Sequence, residues 1–412
     1  MVSRACRGAT MPESALSGLK VVEAGDFISP AYGSKLLADL GADVIKVEPP
    51  GGGSIRKHGP FPGDDANIER GGLHLFLDAN KRSVTLDLES SEGAGLFREL
   101  ARWADIVIHN IDPGLLERLG IRYEDLSVDH PALIMSSITV FGYDTPYRDW
   151  KGSALTATAA SGLSQRIGDP GKAPLWIPYC AADFQGGLHG AIAAMAALQA
   201  RRATGEGQHA WVSIVEVLGN YLGGSGVPAF VFGGQTTTRA GTHMPGFYPW
   251  EVAETADGYF EVITMVDAQW RRFVELMGNP EWGADERLQN RWTAPAWRDE
   301  LDAFWHPWMK ERTRAELWQV FRDNHIAFQP VQTVDEVVAS PHLQARGFWQ
   351  EIEHPVAGAY STLGPPFRLS ATPWELRSRP PLLGEHNADV LGGILGQSPA
   401  QLERLKSAGV TV

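Results

Sequence analysis

LKVVEAGDFISPAYGSKLLADLGADVIKV, residues 19–47, decides the fold. Leu19-Lys20-Val21-Val22-Glu23 is a short β-rich run, and Ile28-Ser29-Pro30 reads as a loop. Ala31–Leu40 has helical spacing, Gly41 ends it, and Ala42–Val47 is a second apolar strand. A crossover of this length is a βαβ unit, which implies a parallel sheet.

Working outward, Pro49–Asp65 is a loop rich in Gly and Pro. Ser83–Leu88 reads as a strand, Ser91–Ala104 as a helix capped by Ser90 or Ser91, and Asp105–His109 and Leu133–Thr139 as further strands. Phe184–Arg201 is an Ala-rich helix, followed by the strand-like His209–Ile214. Repeated β-α alternation predicts a doubly wound α/β domain over 15–220. Beyond Gly233 the texture changes. Residues 233–330 carry Trp250, Trp270, Trp282, Trp292, Trp297, Trp305, Trp308 and Trp318, with a capping box at Thr313–Glu316. This reads as a second, smaller domain, and 331–412 as Pro-rich linker closing on a helix near Ser398–Ser407.

A chain of 412 residues exceeds one ordinary core, which agrees with two domains. Its net charge of −13 argues against a nucleic-acid partner, although a few converging Lys and Arg would still hold a small polyanion. Cys6 and Cys180 supply neither a disulfide framework nor a metal cluster, so no metal is expected. The apolar run Gly190–Leu198 is too short to cross a bilayer, and Met1–Ser14 lacks the apolar segment of a secretion signal. It reads as a floppy leader, with Met11 as an alternative start, and the expected compartment is the cytoplasm.

There is no GxGxxG or P-loop pattern. Gly51-Gly52-Gly53-Ser54 is either a flexible loop or a phosphate cradle. Arg56, Lys57, Lys81 and Arg82 lie next to predicted strand ends, where open α/β sheets place their ligands, or are ordinary solvated charges. Asp183 stands just before the Ala-rich helix. It is either an N-cap or a carboxylate placed at the positive end of the helix dipole for chemistry, and Gly187 would let a bulky ligand approach there.

Six segments carry a resemblance in their order and spacing. They are Gly41–Glu48 (GADVIKVE), Asn80-Lys-Arg-Ser83, Asn110-Ile-Asp-Pro-Gly114 with Arg118-Leu-Gly120, Asp183-Phe-Gln-Gly-Gly187, Thr204-Gly-Glu-Gly-Gln208 and Leu383-Gly-Glu-His386. From about Leu16 onward the chain resembles the family III CoA-transferases, the group containing formyl-CoA and carnitine CoA-transferases. The resemblance implies a Rossmann-like large domain formed by both chain ends, a smaller middle α+β domain, and two chains interlocked as a homodimer. It implies Asp183 as the nucleophile, and Arg56 or Lys57, Lys81, Asn110, Arg118 and Lys151 as contacts to CoA. Coenzyme A enters as substrate, in acyl-CoA, with a carboxylic acid as its partner; no tightly bound cofactor is expected. The implied course is an aspartyl mixed anhydride, then an aspartyl-CoA thioester.

The chain also departs from the family. Ile28 stands where formyl-CoA transferases have a Gln, Gly142-Tyr-Asp-Thr-Pro146 replaces a Gly-Gln-x-Gly-Pro pattern, and Arg239–Pro245 lacks the family's Gly-rich closing loop. Together with Phe247, Tyr248 and the Trp-rich middle segment, Ile28 predicts a medium to large apolar acyl group. The alternative is that the Trp residues fill a core. Two other functions stand beside the transferase: an acyl-CoA racemase of the same fold, for which Ser153 and Ala154 offer no second acid/base, and a CoA-binding paralogue without activity.

Overall fold

The computed structural model describes residues 14–264, 266–290 and 292–412, so the leader, Met11 and Cys6 lie outside the described residues. The chain divides into two compact units. One comprises residues 14–163, Trp176–Pro228 and Gln344–Val412; the other comprises Ser164–Leu175 and Ala229–Leu343.

The first unit is built on a six-stranded parallel sheet, β1 (Lys20–Ala24), β2 (Asp43–Glu48), β3 (Lys81–Thr85), β4 (Ile106–His109), β5 (Ile134–Thr139) and β6 (His209–Ser213). Its order is 3-2-1-4-5-6, that of a Rossmann-like doubly wound sheet. Both faces are covered, and for that reason the strands are apolar throughout rather than alternating. Val21, Val44, Ile106, Ile108 and Ile134 face α1 (Ile28–Ala38) and the long Ala-rich helix, whereas Val22, Ile45, Val107 and Met135 pack with Phe97 and Leu100 of α3 (Ser91–Trp103). Between them, α2 (Gly72–Leu77) follows the β2 loop. Ser90 caps α3, its hydroxyl accepting the Gly93 N–H at 3.0 Å.

Several boundaries differ from the sequence reading: residues 164–175 and 331–343 join the second unit, and three shifts bear on the site. Ile28-Ser29-Pro30 is the first turn of α1 rather than loop, because Pro fits a turn whose N–H groups have no intrahelical partner. β3 starts two residues early, at Lys81, since it pairs with β2 from Val44↔Lys81 to Glu48↔Thr85. The Ala-rich helix, α4, runs Ala181–Thr204 and so begins before Asp183.

In the second unit, β7 (Trp250–Thr255), β8 (Gly258–Ile263) and β9 (Gln329–Pro330) form an antiparallel sheet against helices that include Arg298–Lys310 and Arg314–Asp323. The Thr313–Glu316 capping box is present, with Thr313 N–H to Glu316 Oε2 at 2.8 Å and Glu316 N–H to Thr313 Oγ1 at 3.3 Å. Its core holds Tyr248, Phe260, Trp270, Phe273, Trp305, Phe321 and Phe328, with Trp282, Trp308 and Trp318 packed around them. Five of the eight Trp residues therefore belong to this core or pack on it, and Trp250, Trp292 and Trp297 are exposed.

The C-terminal segment carries the hairpin β10 (Trp349–His354) and β11 (Gly358–Leu363), then runs along the outer edge of β3. Ser378 O accepts the Asn80 N–H at 3.1 Å, and His386 N–H reaches Ser83 O at 3.0 Å. Asn387 Oδ1 accepts the Thr85 N–H at 2.9 Å. An edge strand is thereby left with its outward backbone groups satisfied. Among the described residues no helix is long and apolar enough to cross a membrane.

Candidate active site

At the C-terminal ends of β1, β4 and β5 lies a cleft of about 380 Å³. In the order 3-2-1-4-5-6 the chain reverses direction between β1 and β4, and open sheets bind ligands at that switch point. The cleft is lined by Phe27 and Ser29 after β1, Asn110 after β4, Arg148 and Lys151 beyond β5, and Asp183.

Asp183 is the third residue of α4, so it is not the N-cap. That place belongs to Cys180, which like Tyr179 has a left-handed backbone (φ 47° and 48°). Two consecutive non-glycine residues in this region make a costly turn. It swings the chain so that α4 starts at the cleft with Cys180 and Asp183 both on its wall. Burial pushes the Asp183 carboxyl up to about 6, opposed by its own backbone N–H, and no cation stands within ion-pair distance among the described residues. A carboxylate partly stripped of water and left unpaired is a better nucleophile than a solvated one.

Gly187 lies one turn further along the same face. The ligand expected there is displaced by protein. A Cβ on Gly187 would stand 2.5 Å from Ser29 O and 3.1 Å from Gly33 N, so the glycine lets α1 press against α4.

Asn110 staples the loop after β1. Its Oδ1 accepts the Asp26 N–H at 2.8 Å, while Nδ2 donates to Asp26 O at 2.6 Å and to Ser29 Oγ at 3.3 Å. Gly25 (φ 101°) is required beside it, because a Cβ there would lie 2.1 Å from Asn110 Oδ1.

The predicted cations separate into two groups. Lys151 lines the cleft with its side chain 78% exposed and pairs with Asp112. Lys57 is exposed on the turn Ser54–Lys57, and Arg118 is exposed 3.6 Å from Glu89; neither lines the cleft. Arg56 and Lys81 are wholly buried. Arg56 spends all five of its N–H donors inside the protein. They go to Glu48 Oε1 and Oε2 at 2.8 and 2.9 Å, Glu69 Oε2 at 2.7 Å, His74 Nε2 at 3.1 Å and Pro381 O at 3.1 Å. Lys81 spends its three on Glu23 Oε2 at 2.7 Å, Ala31 O at 2.8 Å and Asp78 Oδ1 at 3.0 Å. Neither has a donor left for a phosphate, and both serve instead to bind β1, β2, β3 and α2 together. Because His74 Nε2 accepts from Arg56, its Nδ1–H must donate to Asp78 (2.8 Å), which fixes a neutral imidazole; burial lowers its pKa accordingly.

The glycine loop is also engaged: Gly53 N–H reaches Glu48 Oε1 at 3.4 Å and Ser54 N–H reaches Asp26 Oδ1 at 2.7 Å. Carboxylates occupy two donors that a phosphate cradle would need. Ile28 is fully buried with Ala31, Ile55, Leu73 and Leu77 and does not line the cleft. With Ile28 buried and five of the eight Trp residues in or on a core, most of the ground for a bulky apolar acyl group becomes packing. The sequence reading did not single out Ser29, Arg148 or Cys180; Arg148 lies three residues before Lys151, and that pair of nearby cations was the available signal.

In the second unit His243, Glu251 and Asp302 gather potential metal-ligating atoms within 4.8 Å of one another. Arg298 Nη1 already lies 2.8 Å from His243 Nδ1, and its Nη2 donates to Met244 O and Phe247 O. A metal ion would meet a fixed positive charge, so the cluster reads as a polar network.

The model of one family, CoA-transferase family III, matches residues 16–387. The chain is similar to a succinate–glutarate CoA-transferase of Agrobacterium fabrum, 32% identical over 91% of this chain and 94% of the relative. A succinyl-CoA–D-citramalate CoA-transferase of Chloroflexus aurantiacus is 31% identical over 97% and 98%. Among solved structures, a CAIB/BAIF family protein from Brucella suis superposes with a TM-score of 0.82 at 33% identity, over 92% of this chain and 99% of that one.

Proposed function

We propose, from the premise that this chain belongs to CoA-transferase family III, that it moves CoA from an acyl-CoA donor to a short dicarboxylic acid through covalent intermediates on Asp183. The observation that carries this reading is the unpaired Asp183 carboxylate, raised to about 6, on the wall of the switch-point cleft. Relatives acting on succinate, glutarate and citramalate support the substrate class. Arg148 and Lys151 in the cleft suit the second carboxylate of such an acid or a CoA phosphate, and Lys57 and Arg118 suit further phosphates. Phe141, Trp150 and Trp176 offer an aromatic wall for the pantetheine arm.

In the first step an Asp183 oxygen attacks the donor thioester carbonyl; the C–O bond forms, the C–S bond breaks, and CoA leaves as thiolate. The thiolate attacks the Asp183 carbonyl of the anhydride, releasing the donor acid and leaving an aspartyl-CoA thioester. The acceptor carboxylate then attacks that thioester, expelling thiolate again. Thiolate attack on the acceptor's carbonyl gives the new acyl-CoA and restores Asp183. No proton is gained or lost overall, and water must be kept out, since hydrolysis of the anhydride would waste the thioester. Among the described residues no histidine lines the cleft, which argues against a racemase that works through a His–Asp pair.

The active form in this reading is a cytoplasmic homodimer. Gly226–Gly233 is an apolar helix without one buried residue, and Phe232 is 88% exposed, as a surface awaiting a second copy would be. The test of the catalytic reading is to incubate the protein with succinyl-CoA and no acceptor, digest it, and weigh the Asp183 peptide. A CoA adduct is expected on the wild type, with none and no turnover for Asp183→Ala. An Asp183→Ala protein that still transfers CoA would overturn the reading.

A further inference from the structure

We propose that the Ser29 hydroxyl donates a hydrogen bond to the acyl oxygen of the group carried on Asp183, and so stabilises the tetrahedral intermediates centred on the acyl carbon, in the first step, where Asp183 attacks the donor thioester, and in the last, where thiolate releases the new acyl-CoA. This rests on Asp183 as the nucleophile. Ser29 is 2% exposed and lines the same cleft as Asp183. The two helices that bear them touch where Gly187, on the Asp183 face of α4, admits the Ser29 carbonyl. Ser29 is therefore held against the turn of α4 that follows the nucleophile.

The direction of its hydrogen bonding is fixed by its neighbours. Asn110 cannot be turned over, because its Oδ1 faces the Asp26 N–H (2.8 Å) and its Nδ2 faces Asp26 O (2.6 Å). Nδ2 is a donor only, so Ser29 Oγ accepts its second hydrogen at 3.3 Å. The Ser29 proton then has to point elsewhere. At the second position of α1 there is no preceding turn whose carbonyl could take it, and among the described residues no acceptor does. A buried hydroxyl with an uncommitted proton, polarised by an amide donor on its oxygen, is suited to a developing oxyanion.

The test compares wild type, Ser29→Ala, Ser29→Cys and Asp183→Ala in steady state and in rapid-quench mass spectrometry of the Asp183 adduct, with succinyl-CoA as donor. Ser29→Ala should lose about 100-fold in kcat, the scale seen for one oxyanion donor, with KM for acyl-CoA within twofold of wild type. Its aspartyl-CoA adduct should still form, more slowly. Ser29→Cys keeps the volume but donates weakly. It should lose at least tenfold in the same split, and it decides the matter even where alanine disturbs folding. A kcat within threefold of wild type in a folded variant, or a loss confined to KM, would overturn the proposal. Absence of any adduct on the wild type would sink the Asp183 reading instead, whatever Ser29 does.

Discussion

Gly187 stands against the backbone of Ser29, so closely that a side-chain carbon there would lie 2.5 Å from the Ser29 carbonyl oxygen. The obstacle is backbone, which cannot swing aside as the end of a side chain can. Gly187→Ala should therefore cost roughly 1–3 kcal/mol through overpacking, and should lower turnover by parting α1 from α4. Urea unfolding and kcat on one preparation check both. A variant as stable and active as wild type would show that the helices have room to separate.

Asp183 holds its proton more tightly folded, at about 6, than in the unfolded chain at its ordinary value of 3.8. Between those values the folded protein binds more protons, so this group's contribution is present below about pH 4 and lost as pH rises through 6, about 2–3 kcal/mol in all. Asp183→Asn should accordingly be more stable than wild type at pH 8 and no more stable near pH 4, as read by urea midpoints. In the proposed mechanism the ionised Asp183 attacks, so kcat measured across pH 5–8 should fall as pH drops through 6.

Arg56→Met should cost about 3–5 kcal/mol, since it strands the buried Glu48 and Glu69 carboxylates without their partner. Denaturant unfolding measures it. A loss under 1 kcal/mol would mean that water or Lys46 replaces the guanidinium.

Lys81 and Lys151 should part company in a calorimetric titration with CoA. Lys151→Ala removes an exposed cation at the cleft and should weaken binding about five- to tenfold, less in high salt. Lys81→Met should instead lower the unfolding midpoint, with little effect on CoA affinity at temperatures where the protein stays folded. A large, specific CoA defect in Lys81→Met would return that residue to the ligand.

Phe232→Asp should shift the protein from dimer to monomer in sedimentation velocity. An unchanged dimer would move the interface away from Gly226–Gly233.

The sheet was largely legible from residues 19–47, because apolar strands and a 3.6-residue stripe leave a periodic record, and Ser90 and Thr313 announce their caps. The start of α4 was not. A left-handed Cys180 has no propensity signature, so Asp183 looked like the cap rather than the third residue inside. The roles of Arg56 and Lys81 were hidden for another reason. Their partners Glu48, Glu69, Glu23 and Asp78 are brought to them only by strand pairing, and a basic residue beside a loop reads the same whether it faces solvent or a buried acid. Ser29 went unseen because its neighbour Pro30 marks a loop as readily as a helix start.

The stitching of β3 to the far end of the chain has a consequence for order of assembly. Strands β1 to β6 are complete once residue 213 has been made, yet the outer rim of β3 waits for Ser378, His386 and Asn387, and Thr85 Oγ1 for the Val412 N–H at 3.1 Å. During translation the sheet thus stands ready for about 165 residues, from Ser213 to Ser378, with one rim bare. In that interval a neighbouring nascent chain can offer the same backbone groups, which makes the last thirty-five residues a seal against mispairing as much as a part of the fold.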